Sequence, residues 1–210
     1  QPKKSVQDKK SVLRRIILLP GSRQSEIKLI LPEMLAASAI LKRHDPNLSF
    51  VLPAVSSLLP LIKSYADGYD VDIVAGEGNL VSTLQSSTAM IATSGTVTLQ
   101  AALCGTIGVT CYRTGALSAF IGRRLVDLDL VILPNAILGR RLYPFYFQEA
   151  ATGKALASAI LDAFEDRAAK ERLQSAAIEL KTLLTGDKAA FSDLVILALK
   201  QWLGPPKRPA

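Results

Sequence analysis

The stretch Arg15-Ile16-Ile17-Leu18-Leu19-Pro20-Gly21-Ser22-Arg23-Gln24-Ser25-Glu26-Ile27 decides the fold, because the hydrophobic period changes within it. Residues 15–19 are a short apolar run suited to a buried strand, and Pro20-Gly21-Ser22 ends it as a tight turn. Over residues 25–43, Ile27, Ile30, Leu31, Met34, Leu35, Ser38 and Leu41 recur at helical spacing. The order is strand, turn, helix. Pro32 inside the helix predicts a kink or a break there.

Outward from this unit the alternation continues. Strands are expected at 48–52, 71–74, 89–92 and 108–112, and helices at 56–65, 80–85 and 96–103. Short apolar strands alternating with helices specify a parallel sheet covered on both faces. The fold class is therefore α/β, a doubly wound Rossmann-like sheet. Beyond Tyr112 the pattern weakens to an amphipathic stretch at 116–125, an apolar Val131-Ile132-Leu133 and an aromatic patch at 143–147, which reads as core packing before lipid contact. Residues 154–203 read as helix, with apolar faces at Leu156, Ile160 and Phe164, at Leu173, Ala177, Leu180 and Leu184, and at Phe191, Leu194, Val195, Ala198 and Trp202. Gly186 and Gly204 are natural stops. The expected organisation is a tail at 1–13, a Rossmann-like domain over 14–153, extra C-terminal helices over 154–204 and a tail at 205–210.

With 210 residues, 49% of them hydrophobic, the chain can bury one α/β body with appended helices. Its net charge of +7 sits in clusters at Lys3, Lys4, Lys9, Lys10, Arg14 and Arg15, at Arg123 and Arg124, at Arg140 and Arg141, and at Lys207 and Arg208. Such clusters suit phosphates, an anionic membrane surface or nucleic acid, or form only a solvated basic face. Nucleic acid is disfavoured, because the clusters are not interleaved with aromatics and no recognition motif is present. Cys104 and Cys111 lie in apolar surroundings and read as reduced core thiols. His44 is the only histidine and follows Lys42 and Arg43 where a helix ends, which suits capping better than catalysis. Neither CxxC, HExxH nor an EF-hand loop occurs, so no metal is expected. No apolar run has the length of a membrane-spanning helix and no signal-peptide pattern is evident, so a cytoplasmic chain is expected, peripherally associated with the inner membrane.

Three segments carry chemistry. In the first, Gly21 at a strand end lets backbone N–H groups approach a ligand, Ser22 borders it, and Arg23 adds full charge beside a helix N-terminus, with Glu26 behind. Ser22 or Ser25 could instead only cap the helix. The second, Thr93-Ser94-Gly95-Thr96, is again a strand end flowing into a helix, with Gln100 one turn further in, within reach of a sugar hydroxyl. In the third, Asn135 could act near a leaving group or only form a turn, Arg140 could bind phosphate or be solvated, and Gln148 comes after them. Two such turns on one sheet place anion sites along its carboxyl edge, the expected crevice of open α/β sheets. Chemistry alone stops at a phosphate-containing ligand.

The segments LLPGSRQSEI, ATSGTVTLQAALCG followed by Tyr112-Arg113, and ILPNAILGRR leading to Gln148 closely resemble the lipid-A-disaccharide synthase family, from about Ile16 to Leu203. The resemblance implies the C-terminal, UDP-sugar-binding lobe of a two-lobed GT-B glycosyltransferase. It implies a UDP-diacylglucosamine donor, an acylated glucosamine 1-phosphate acceptor, a separate N-terminal lobe for that acceptor, no cofactor and, as an option, a homodimer. Carried over by motif, Arg23 contacts the diphosphate, Ser94, Gly95 and Thr96 cradle it, and Asn135 lies near the transferred sugar. Arg23 and Asn135 are then the expected catalytic residues, and Gly21, Ser22, Gln100, Arg140 and Gln148 join the binding set. Gln100 stands where the family usually has a ribose-binding Glu, Ile107 where it has Pro, and Arg141 and Phe145 where Glu is frequent. Other UDP-sugar enzymes of similar architecture, such as a 2-epimerase, and a non-catalytic module with a decayed site are the alternatives.

Overall fold

The computed structural model of the chain describes residues 14–75, 80–115 and 130–185. The terminal tails, the stretch at 116–125 with Arg123 and Arg124, the stops at Gly186 and Gly204 and the apolar face from Phe191 to Trp202 lie outside the described residues.

Strands β1 (Arg15–Leu19), β2 (Ser49–Ala54), β3 (Asp72–Ala75), β4 (Ala89–Thr93), β5 (Ile107–Tyr112) and β6 (Phe145–Phe147) form one sheet in the order β3-β2-β1-β4-β5-β6. All of these pairs are parallel. The helices between and after them are α1 (Gln24–His44), α2 (Leu59–Ala66), α3 (Leu80–Gln85), α4 (Thr96–Leu103), α5 (Leu133–Leu138), α6 (Gly153–Glu165) and α7 (Ala169–Thr185). Alternation along β1 sorts the core into two layers. Ile16 and Leu18 face a cluster built from α1, α2 and α6, whereas Ile17 and Leu19 face one built from α3, α4, α5 and α7. The strand order reverses between β1 and β4. Ligands of open α/β sheets bind in the crevice that this reversal opens at the carboxyl ends of the strands.

The structure refines expectation in three places. Of the kink or break expected at Pro32, the break does not occur, since helix α1 runs through it. Pro32 and Lys28 are both exposed, so water can take the Lys28 carbonyl that a proline nitrogen cannot serve. The aromatic patch at 143–147 contains a sixth strand, β6, too short to show a period, and Tyr143 just before it is buried with its hydroxyl donating to the Thr106 carbonyl at 2.7 Å. The C-terminal helical region is split between α6 and α7 at Asp166, whose carboxylate accepts from the Ala168 N–H and pairs with Arg172. Close contact between α6 and α1 depends on Gly153. A Cβ there would lie 2.6 Å from the Ala36 methyl, and its N–H donates to Glu33 Oε2 at 2.7 Å.

Candidate functional site

The register of β1 with β4 sets Leu19 beside Ala92, so the turns that leave both strands start side by side at the carboxyl rim. Thr93 Oγ1 ties them, donating to the Leu19 carbonyl at 3.2 Å. Gly21 has a left-handed φ of 98°, and a Cβ there would meet Glu26 Oε2 at 2.8 Å and Thr93 Oγ1 at 3.2 Å. Only glycine satisfies both the conformation and the space. On the other turn, the Ser94 N–H donates to the Cys111 carbonyl at 3.2 Å, which fixes it to β5. The backbone at Gly95 is extended, and the space where its Cβ would point is open among the described residues.

Two helices begin here. Arg23 is the N-cap of α1 and Gly95 that of α4, and neither helix start has a side-chain cap. The capping alternative for Ser22 and Ser25 is therefore not realised. Ser94 is half-buried, whereas Ser22, Gly95, Thr96 and Gln100 are exposed.

Arg23 is 76% exposed on its side chain, and its Nη1 donates to Glu26 Oε1 at 2.8 Å. Glu26 is only 14% exposed and also accepts from the Tyr112 hydroxyl at 3.3 Å. The hydrogen bond to Glu26 holds the Arg23 guanidinium above its usual range, and burial, followed by the Glu26 charge, raises the Tyr112 hydroxyl. The sequence placed Glu26 behind Arg23, Thr93 at the head of the second segment and Tyr112 in the motif, but gave none of the three a role. The first had a signal, since a carboxylate three residues after an arginine in a helix's first turn is placed to pair with it. The other two depend on strand adjacency.

Gln148 also reaches this rim, at the end of β6, with a left-handed φ of 52°. Its Nε2 donates to the Thr114 carbonyl at 2.9 Å, and its own carbonyl accepts from Arg113 Nε at 3.1 Å. Arg113 pairs in turn with Glu33 at 3.0 Å. The Gln148 amide thus holds the chain leaving β5.

Two expected site residues lie elsewhere. Asn135 is fully buried, its Oδ1 accepting from the N–H groups of Leu142 and Tyr143 at 2.9 and 3.1 Å and its Nδ2 donating to the Tyr143 carbonyl at 3.1 Å. The Asn135 amide is thus engaged by main-chain groups of residues 142 and 143. Arg140 is placed away from the rim. It leads into the amino end of β6, lines a cleft of about 700 Å³ with Ile107 and Gly108 at the amino end of β5, and pairs with Glu179 at 2.9 Å. That is the opposite edge of the sheet.

Burial pushes the Cys111 thiol far up, and both cysteines are free thiols. Among the described residues no group of three or more His, Cys, Asp or Glu could hold a metal, and no helix is long and apolar enough to cross a membrane.

The family model described as lipid-A-disaccharide synthetase matches residues 1–191. The chain belongs to this family. It is 31% identical over 185 residues to the lipid-A-disaccharide synthase of Nitrosococcus oceani, covering 87% of this chain and 48% of that protein. It is 36% identical over 189 residues to the synthase of Paraburkholderia phytofirmans, covering 88% and 48%. The chain thus spans about half the length of the curated synthases it matches. Among solved structures, the spinosyn rhamnosyltransferase complexed with thymidine diphosphate aligns with a TM-score of 0.56 at 15% identity, over 89% of this chain and 45% of that one. That likeness gives the synthetase-family chain the Rossmann-like fold of GT-B glycosyltransferases.

Proposed function

We propose that this chain is the donor-binding half of a glycosyltransferase that moves diacylglucosamine from its UDP derivative to an acylated glucosamine 1-phosphate. The observation that carries the reading is the adjacency of Gly21–Arg23 and Ser94–Thr96 at the ends of β1 and β4, where two helices begin without side-chain caps. Helix-start N–H groups and the helix dipole favour an anion, and Arg23 adds a full charge. In this reading Gly21, Ser22, Ser94, Gly95 and Thr96 cradle the diphosphate, and Gln100 serves a sugar hydroxyl. As the bond between the sugar and the β-phosphate oxygen breaks, negative charge grows on that phosphate. Fixed donors then bind the transition state more tightly than the ground state. The reading calls on no metal or cofactor. It assigns the acceptor and the general base to the part of the family's length that this chain does not span. Because both substrates carry acyl chains, it places the reaction at the cytoplasmic face of an anionic inner membrane.

The test is thermal unfolding with UDP. At a hundredfold excess over its dissociation constant UDP is expected to stabilise the fold by about 2.7 kcal/mol, and Arg23→Ala is expected to remove that stabilisation. No UDP-dependent change in the unsubstituted protein would overturn the reading. Membership of the synthetase family supports this reading over a 2-epimerase. Gln100 favours one second reading, a non-catalytic module, because its neutral amide lacks the charge of a ribose-binding carboxylate. Adding a separately expressed N-terminal lobe separates the two, since restored transfer excludes a decayed site.

A further inference from the structure

We infer that Glu26 is a positioning residue, which holds the Arg23 guanidinium over the rim so that it meets a diphosphate already oriented. This rests on the donor-site reading above. Residues from two strand ends, those of β1 and β5, meet at the Glu26 carboxylate. From the end of β1, Arg23 Nη1 donates to Oε1 at 2.8 Å, and from the end of β5 the Tyr112 hydroxyl donates to the same oxygen at 3.3 Å. Oε2 faces Gly21, where a Cβ would stand only 2.8 Å away, and Thr93 at the end of β4 closes the other side of that glycine at 3.2 Å. The carboxylate is therefore fixed while the arginine it holds is exposed, 14% against 76%.

An exposed ion pair between residues three apart adds little to stability. Its consequence here is conformational. A free arginine has many rotamers to lose on binding, and one already tethered through Nη1 loses fewer, with Nη2 and Nε still carrying donors for a ligand. A carboxylate near a diphosphate also repels it, but Glu26 is opposed by the Arg23 charge and receives the Tyr112 donor. Positioning and repulsion thus predict opposite signs when Glu26 is neutralised.

The experiment measures UDP and uridine affinity for the unsubstituted chain and for Glu26→Gln, Glu26→Ala, Arg23→Ala and the Arg23→Ala/Glu26→Ala double variant, with unfolding curves as a check on folding. Glu26→Gln keeps an acceptor for Tyr112 and the shape against Gly21, so it guards against a misfolded alanine variant. Positioning predicts that Glu26→Ala weakens UDP binding about fivefold, the size of ordering one rotamer-rich side chain, that Glu26→Gln weakens it less, and that uridine is unaffected. It also predicts that the double variant binds UDP no worse than Arg23→Ala alone, because Glu26 acts only through Arg23. Unchanged or tighter UDP binding in Glu26→Gln overturns the inference while leaving the donor site standing, as does an equal loss for uridine. Absence of UDP binding to the unsubstituted chain overturns the donor-site reading itself, and this inference with it.

Discussion

Asn135 and Gln148 show how a motif residue can serve the backbone. Each carries an amide that sequence reading assigns to a ligand, and each uses that amide on main-chain groups, Asn135 on residues 142 and 143 and Gln148 on Thr114. For Asn135 the consequence is energetic. Removing its side chain leaves two N–H groups and a carbonyl without those bonds, and each buried polar group so stranded costs about 1–3 kcal/mol. Asn135→Ala is expected to lower the unfolding free energy by about 3 kcal/mol, measured by urea titration, with no change in UDP affinity per folded molecule. A variant of undiminished stability that had lost UDP binding would restore the ligand role. Gly21 and Gly95 differ in a similar way, since the fold demands glycine only at the first, where both φ and crowding exclude a side chain.

At the scale of elements, the strand-helix alternation up to Tyr112 was legible, because the strands from β1 to β5 are short and largely apolar and the connections between them return through helices. Helices α3 and α4 start and end where the periodicity places them. Beyond Tyr112 the pattern was legible only in part. β6 has three half-buried residues and draws its identity from pairing with β5, a contact that no local period encodes. The carboxyl-rim position of the two glycine turns could be read from the strand-turn-helix order. The meeting of Arg23 and Tyr112 at Glu26 could not, because it depends on the sheet order that sets the ends of β1 and β5 on either side of β4. The α1–α6 contact gives a test at this scale. Gly153→Ala would drive a methyl into Ala36 and the Ala37 backbone nitrogen at 2.6 and 3.0 Å. The expected cost is about 1–3 kcal/mol, seen as a lower urea midpoint with the slope retained. An unaltered midpoint would mean that the helices separate freely.

For the whole molecule the decisive feature is that a parallel sheet has two unlike edges. The carboxyl edge gathers helix beginnings, with their N–H groups and partial positive charge, whereas the amino edge gathers helix ends and their carbonyls. Arg23 and Arg140 are both arginines next to glycine-bearing turns, and sequence alone ranks them together as phosphate ligands. The fold separates them, Arg23 to the edge where α1 and α4 begin and Arg140 to the edge where β5 and β6 begin, paired with Glu179 on α7. The two variants should therefore behave differently against the same ligand. Arg140→Ala breaks a solvent-exposed ion pair, which contributes little to stability, so its unfolding temperature without ligand falls slightly and the stabilisation by UDP stays at full size. Arg23→Ala leaves the unliganded unfolding temperature almost unchanged and removes the UDP effect. If Arg140→Ala abolished that effect instead, the nucleotide would have to sit at the amino edge, against the dipoles of the helices that end there.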